Sequence, residues 1–198
     1  MDKRQRYLFI DTETTGLDPI HNSVIEIAMR VEEEDKNFVP KEIAVLRAKF
    51  PKSEYTMTDL TALQVNKRAV SDVNVTMDEN NREMRKAHVL GVAQFLTDHV
   101  TKDTLIIGIN VKFDIDFLIA LLAEYNISIK EMQLMRNAID LQHVARMLND
   151  KGAVELPNFR GVTLAQMFLE YKPNEFPHNA LADCNITRDL YFAMRNFI

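Results

Sequence analysis

The chain has 198 residues, of which 46% are hydrophobic and 27% are charged, as expected of one soluble globular domain spanning residues 1–198. Its formal net charge of -5 argues against a protein that holds nucleic acid through bulk positive charge. The single cysteine, Cys184, excludes an internal disulfide, and no apolar run is long enough to cross a membrane. No signal peptide is visible before the first predicted strand, so the cytoplasm is the expected location.

The first predicted strand ends in two carboxylates. An aromatic and branched apolar run at residues 7–10 predicts a buried strand, and Asp11 and Glu13 follow it. Alternate residues of a strand share a face, so these carboxylates point the same way, roughly 7 Å apart. A cation would relieve their repulsion, and carboxylate oxygens suit Mg2+ or Mn2+. A strand that runs out into a polar loop would explain this pair of residues as well.

The remaining elements follow in chain order. Strands are predicted at residues 23–33, 41–50 and 104–109. Helices are predicted at 57–64, 78–99, 113–125, 138–149, 163–171 and from about 179 to the end. Residues 66–81 carry no clear pattern. Because strands come first and helices dominate later, we expect an α/β fold with one mixed central sheet and helices on both faces.

Helix caps and buried faces are also predicted. The candidate N-caps are Thr58, Asp78 or Asn80, Asn110 and Thr163. The helix at 78–99 is expected to bury one partial apolar face, made of Met84, Ala87, Val92, Phe95 and Leu96.

Two further carboxylates fall on inward helix faces. In helical register, Asp114 aligns with Phe117, Leu118, Leu121 and Tyr125, and Asp183 leads a stripe of Ile186, Leu190, Met194 and Phe197. Each could instead be structural, because a first-turn carboxylate is favoured by the helix dipole and a buried one can form a salt bridge. Asp116 falls on another side of its helix, and we interpret it as a first-turn carboxylate that the helix dipole stabilises.

A histidine lies at the turn before the last helix. His178 follows Pro177 and comes five residues before Asp183, so from a non-helical turn it could reach past the first helical turn. Beside a water held at a metal site it is a natural general base near neutral pH. A solvent-exposed histidine without a role is the alternative.

Three motifs together resemble the histidine-bearing branch (DEDDh) of the DEDD superfamily of 3'→5' exonucleases. They are FIDTETTGLD, NVKFDIDFL and HNALADCN, and the resemblance spans most of the chain but is weak between residues 50 and 105. It implies an RNase H-like fold. It assigns metal binding to Asp11, Glu13, Asp114 and Asp183, and the general base to His178.

The resemblance also implies substrate contacts and cofactors. Thr14 and Leu17 would touch the terminal nucleotide, and Asn110 occupies a recurrent motif position that a helix cap explains equally well. Two Mg2+ ions, replaceable by Mn2+, would activate a water and stabilise the leaving 3'-oxygen. Many relatives carry histidine where this chain has Ile109, so one minor substrate contact is expected to be missing.

The expected partner is the 3' end of a nucleic acid, with single-stranded DNA favoured and nucleoside 5'-monophosphates as products. A ribonuclease that trims RNA ends is the alternative within the family. A catalytically idle nucleic-acid-binding module and a structural acidic protein are alternatives of other classes. The sequence leaves a homodimer open, and because it stops at Ile198 we expect no polymerase-binding tail. Lys112, Arg160 and Lys172 could guide the strand or be ordinary solvated charges.

Overall fold

A computed structural model describes residues 4–53, 56–65, 77–128, 131–172 and 177–197. The strands are β1 (Arg6–Thr14), β2 (Val24–Glu34), β3 (Pro40–Lys49), β4 (Leu105–Gly108) and β5 (Ala138–Asp140). The helices are α1 (Leu60–Val65), α2 (Glu79–His99), α3 (Val111–Ala123), α4 (Glu131–Arg136), α5 (Leu141–Asp150), α6 (Gly161–Leu169) and α7 (Ala180–Arg195).

The sheet has the order β3-β2-β1-β4-β5, so β1 is its central strand. β1 pairs antiparallel with β2, which pairs antiparallel with β3, whereas β4 runs parallel to both β1 and β5. The expected mixed sheet is therefore confirmed. The carboxyl ends of three parallel strands meet at one edge of the sheet, where ligands bind in folds of this type.

Helices cover both faces of this sheet, and the alternation along β1 divides the core. Leu8 and Ile10 pack with residues of α2 and α3 on one face. Tyr7 and Phe9 pack with residues of α5, α6 and α7 on the other. Asp11 and Glu13 continue the alternation of Tyr7 and Phe9, so their side chains lie on the face of the sheet that α7 covers. Among the described residues, no helix combines the length and apolarity that a bilayer crossing needs.

The first residues of one predicted helix form a strand instead, and one helix was missed. Residues 138–149 were predicted as a single helix, but Ala138–Asp140 form β5 and the helix begins at Leu141. Asp140 caps it, because its side chain accepts from the amide of Gln142. A strand of three residues is too short to show an alternating pattern. α4 was not predicted.

Three of the predicted caps are corrected. Asp59, not Thr58, accepts from the amide of Thr61 at the start of α1. Thr163 lies inside α6 and bonds to Asn158. Asn110 does precede α3, but it has left-handed backbone (φ 62°) and, within the described part of the chain, makes no side-chain cap bond. Asp78 caps α2 as predicted, accepting from the amide of Asn81.

Two predicted buried faces also need correction. Met84 and Ala87 are exposed on α2, and Arg85 and Val89 are buried instead. Phe197 lies beyond the end of α7 and is half-exposed. Most of the unpatterned segment at 66–81 and of the loop at 172–177 lies outside the described residues.

Candidate active site

Three of the predicted acidic residues meet at the end of β1. One carboxylate oxygen from each of Asp11, Glu13 and Asp183 lies within 4.8 Å of the other two. β1 supplies the first two from alternate positions, and the first turn of α7 supplies the third. Next to Asp183, the buried Cys184 thiol donates to the carbonyl of Phe9 at 3.4 Å, which holds the start of α7 against the strand. We call these three residues the carboxylate cluster.

Asp114 approaches β1 from the opposite layer. It lies in the first turn of α3 and is buried, on the predicted inward face. Its Oδ1 atom accepts two hydrogen bonds from Thr12, one from the backbone amide at 2.9 Å and one from the hydroxyl at 2.7 Å. Within the described residues, Asp114 is not a member of the carboxylate cluster, although its charge acts on Asp11.

The electrostatics of the site favour added positive charge. Burial, together with the carboxylates of Asp114, Asp183 and Glu13, raises the pKa of Asp11 well above its ordinary value. Burial also raises the pKa of Asp114 to about 7, against the lowering effect of its bonds from Thr12. These carboxylates therefore ionise together only at an electrostatic cost, which a bound cation would remove.

The donor set fits a hard divalent cation. All three groups of the cluster offer carboxylate oxygens, and neither histidine nor thiolate belongs to it. Oxygen donors of this kind suit Mg2+ and Mn2+ rather than softer metals. Asp11, Glu13 and Asp183 could therefore hold one such ion.

His178 lies two residues before the start of α7, with Asn179 between them as the N-cap. Its backbone is left-handed (φ 50°), so the turn before the helix is non-helical as predicted. The side chain is partly exposed. Its role as a base stays a prediction.

The three predicted substrate contacts differ in exposure. Leu17 is 79% exposed in the loop after β1, and Asn110 is also exposed. Thr14 is buried, and its hydroxyl donates to the carbonyl of Gly16 at 2.6 Å, so this side chain shapes the loop that carries Leu17.

Sequence reasoning missed two residues that touch this region. Thr12 was not singled out, although it holds Asp114. Glu26 is buried on β2 directly opposite Glu13, and its charge also acts on Asp11. Apolar and polar residues of β2 are buried alike, so the sequence of this strand shows no alternation that would mark Glu26 as buried. Its position beside the carboxylate cluster follows only from the pairing of β2 with β1.

Known proteins share both the sequence pattern and the fold. The sequence matches the family RNase_T, described as Exonuclease, over residues 8–191. The DNA polymerase III PolC-type of Latilactobacillus sakei subsp. sakei (strain 23K) is 28% identical over 190 residues, which cover 95% of this chain and 11% of that protein.

Solved structures add the fold. E. coli Exonuclease I in complex with a dT13 oligonucleotide has a TM-score of 0.70 at 18% identity, covering 96% of this chain and 40% of that one. Cell-death related nuclease 4 has a TM-score of 0.67 at 13% identity, covering 97% and 64%.

The chain thus spans about a tenth of the PolC-type relative and about two fifths of Exonuclease I. The family match covers nearly all of the described sheet and helices, from β1 into α7. The chain therefore belongs to the RNase_T exonuclease family, in the DEDD group of 3'→5' exonucleases of the RNase H-like superfamily.

Proposed function

We propose that this chain is a divalent-metal-dependent 3'→5' exonuclease that removes nucleoside 5'-monophosphates from the 3' end of single-stranded DNA. The observation that carries the proposal is the carboxylate cluster of Asp11, Glu13 and Asp183 at the end of the central strand. An anionic phosphodiester would be repelled by three bare carboxylates, so this arrangement favours phosphate chemistry only with cations present.

The acidic residues would hold two divalent cations. Asp11 would be the central ligand, because the charges of Asp114, Asp183 and Glu13 all act on it. Glu13 and Asp183 would complete one ion site and Asp114 the other. When bound, such ions supply positive charge to the phosphodiester and to the leaving 3'-oxygen, and they lower the pKa of water. Thr12 keeps Asp114 oriented through its two hydrogen bonds.

The remaining residues would handle the proton and the terminal nucleotide. His178 would accept the proton of the attacking water, which makes the water a stronger nucleophile as the bond to phosphorus forms. Leu17 would pack against the terminal base, because its exposed apolar side chain lies in the loop directly after the cluster. Thr14 would support that loop through Gly16, and Asn110 would contact the substrate at the start of α3.

Single-stranded DNA is the favoured substrate because the Exonuclease I structures that share this fold include complexes with dT13 and dA16 oligonucleotides. RNA is the alternative within the family. A catalytically idle binding module is disfavoured, because all four acidic positions are present.

A digestion panel tests the proposal. Single-stranded DNA, duplex DNA and RNA, each labelled at the 5' end, are incubated with Mg2+, with Mn2+ or with EDTA. We expect a descending ladder from single-stranded DNA with either metal and no product in EDTA. Cutting of a strand with a blocked 3' end, or undiminished activity in EDTA, would overturn the proposal. Faster digestion of RNA than of DNA would overturn the substrate assignment alone.

A further inference from the structure

The sheet face that carries Asp11 and Glu13 continues onto the two neighbouring strands. Glu13 lies opposite Glu26 on β2, and Glu26 lies opposite Lys49 on β3. Directly opposite residues of an antiparallel pair share a face, so Lys49 lies on the face of the carboxylate cluster. It is two strand spacings away from Glu13, roughly 10 Å.

Arg47 lies in the adjacent row. Asp11 pairs with Ala28 on β2, and Ala28 pairs with Arg47 on β3. Arg47 and Lys49 therefore form a basic pair at the end of the edge strand, beside the site and on its face. We call these two residues the basic pair.

The basic pair is accessible. α7 covers this face of the sheet over β1, β2 and β4, and Arg47 and Lys49 keep 39% and 55% of their side chains exposed. The buried Glu26 carboxylate accepts from Arg47 at 2.7 Å, and the Lys49 ammonium lies 3.9 Å from its other oxygen. Two cations face this one carboxylate, so the three side chains together carry one positive charge.

Farther along the same face, positive charge is balanced. The next residues of β3, Val45 and Ile43, are apolar. Arg30, which pairs with Val45 in register, bonds to the carboxylates of Glu32 and Glu42. The excess positive charge of β3 on this face is therefore confined to the end nearest the carboxylate cluster.

The other side of β1 is acidic. Asp114 lies in the first turn of the helix that follows β4, and Asp140 is the last residue of β5. The Asp140 carboxylate accepts a hydrogen bond from the backbone amide of Asn110. The nearby Lys112 is paired with Asp116 at 2.6 Å. The Asp140 carboxylate repels a strand of phosphates that leaves the site on this side, whereas the basic pair attracts the strand across β2 and β3.

We propose that Arg47 and Lys49 bind the backbone phosphates of the substrate strand on the 5' side of the bond that is cut. The inference rests on the proposed function, because an exonuclease acting at a 3' end must hold the strand that remains. Lysine binds phosphate as a point charge and arginine through its planar fork, and neither reads the base. The basic pair thus sets affinity for a chain of nucleotides without selecting its sequence.

The test compares two substrates of the same chemistry. An oligothymidylate has a strand beyond the scissile phosphate, and thymidine 5'-monophosphate p-nitrophenyl ester has none. Lys49→Gln and Lys49→Glu are the main variants, since Lys49 is exposed and its loss leaves Glu26 bonded to Arg47. Lys41→Gln and Lys41→Glu are matched controls, because Lys41 is exposed on the same strand, roughly 26 Å away at its other end.

Lys49→Gln should raise the KM for the oligothymidylate about fivefold near 100 mM salt, and the slope of log affinity against log salt should fall by about 0.7. Lys49→Glu should raise this KM further. For the p-nitrophenyl ester, kcat and KM should stay at parent values. Arg47→Gln, checked for folding by its melting temperature, should also raise the KM for the oligothymidylate and not that for the ester.

The outcomes separate the two claims. A parent protein that hydrolyses neither substrate would remove the proposed function itself. An active parent whose Lys49 variants keep the parent KM and salt slope would overturn the inference alone. Phosphate binding by the basic pair is likewise contradicted if the Lys41 variants raise the KM equally, or if the Lys49 variants lower kcat on the ester.

Discussion

The hydroxyl and the backbone amide of Thr12 both donate to a single carboxylate oxygen of Asp114, at 2.7 and 2.9 Å. The two residues are 102 positions apart in the chain, and their contact joins the central strand to the first turn of α3. It orients a buried carboxylate whose charge acts on Asp11, next to the cluster of Asp11, Glu13 and Asp183.

Removing the Thr12 hydroxyl should loosen Asp114. Thr12→Val keeps the branched shape, which suits a strand, and deletes one donor, so we expect a loss of about 1–3 kcal/mol in the free energy of unfolding. The exonuclease rate should also fall, because Asp114 is less well oriented. Thr12→Ser retains the hydroxyl and should keep most of both. Urea unfolding and nucleotide release measure the two effects, and equal behaviour of the valine and serine variants would contradict the role of this bond.

His178 carries a kinetic prediction. If it is the general base, His178→Ala should lower turnover roughly 100- to 10,000-fold, the usual contribution of a positioned base. Affinity for Mg2+ should change little, because the histidine is not a proposed ligand. The parent rate should rise between about pH 6 and 7, where histidines ordinarily titrate, and the variant should lack that rise. Turnover at the parent level in His178→Ala would remove the residue from the mechanism.

Asp183 links the site to stability. Without metal, the folded protein holds Asp183 within 4.8 Å of Asp11 and Glu13, whereas in the unfolded chain the three charges separate. Asp183→Asn is nearly isosteric and removes one charge, so it should melt at a higher temperature than the parent in EDTA.

The same variant should respond less to metal. Binding to the folded form alone stabilises by about 2.7 kcal/mol at a hundredfold excess over the dissociation constant, and the variant should gain less than the parent and lose nearly all nuclease activity. Thermal melts with EDTA and with Mg2+ measure this. A lower melting temperature in EDTA would indicate a structural salt bridge, and an undiminished Mg2+ shift would take Asp183 out of the metal site.

The metal-free protein should lose stability as the pH rises toward 7. The pKa of Asp114 is about 7 in the folded protein and 3.8 as its ordinary value, and the pKa of Asp11 is raised as well. Between these values the folded form binds more protons than the unfolded form. The stabilisation from this bound proton is therefore fully present below the ordinary pKa of the carboxyl group. It is lost as the pH rises through about 7, and the free energy of unfolding falls by up to about 1.4 kcal/mol per pH unit for each proton.

Urea unfolding in EDTA across this range measures the slope. The pKa values of Asp18, Glu33 and Asp35 are lowered in the folded protein. These groups change the free energy of unfolding below this pH range, so they do not obscure the slope. Asp114→Asn removes one titrating group and should flatten the curve. Stability that rises with pH between about 4 and 7 in the parent, or an unchanged slope in the variant, would contradict this account.

The first strand and the inward direction of all four acidic positions could be predicted from local patterns. An apolar run that ends in alternate carboxylates specifies both β1 and the common direction of Asp11 and Glu13. The stripe behind Asp183 likewise specifies an inward-facing helix position. Such features depend on residues a few positions apart, which is the range over which strand and helix periods operate.

Contacts between distant segments could not be predicted in this way. The bond from Thr12 to Asp114 and the pairing of Glu13 with Glu26 depend on which strands and helices become neighbours. Arg85 is a further example, since it is fully buried on α2 and bonds to Glu124, the carbonyls of Val24 and Pro51, and Ser23. A charged residue in a helix pattern predicts exposure, and only its tertiary partners make its burial favourable.

The central claim is that the carboxylate cluster binds the cation on which nucleic acid hydrolysis depends. Its most direct test is to titrate Mn2+ by electron paramagnetic resonance and to measure nucleotide release from a 3' end on the same samples. The parent should bind Mn2+ and degrade the strand, whereas Asp11→Asn and Glu13→Gln should lose both together. Asp116→Asn, a matched control on α3 whose native carboxylate pairs with Lys112, should keep both. Parent-level Mn2+ affinity and parent-level degradation in Asp11→Asn would contradict the account.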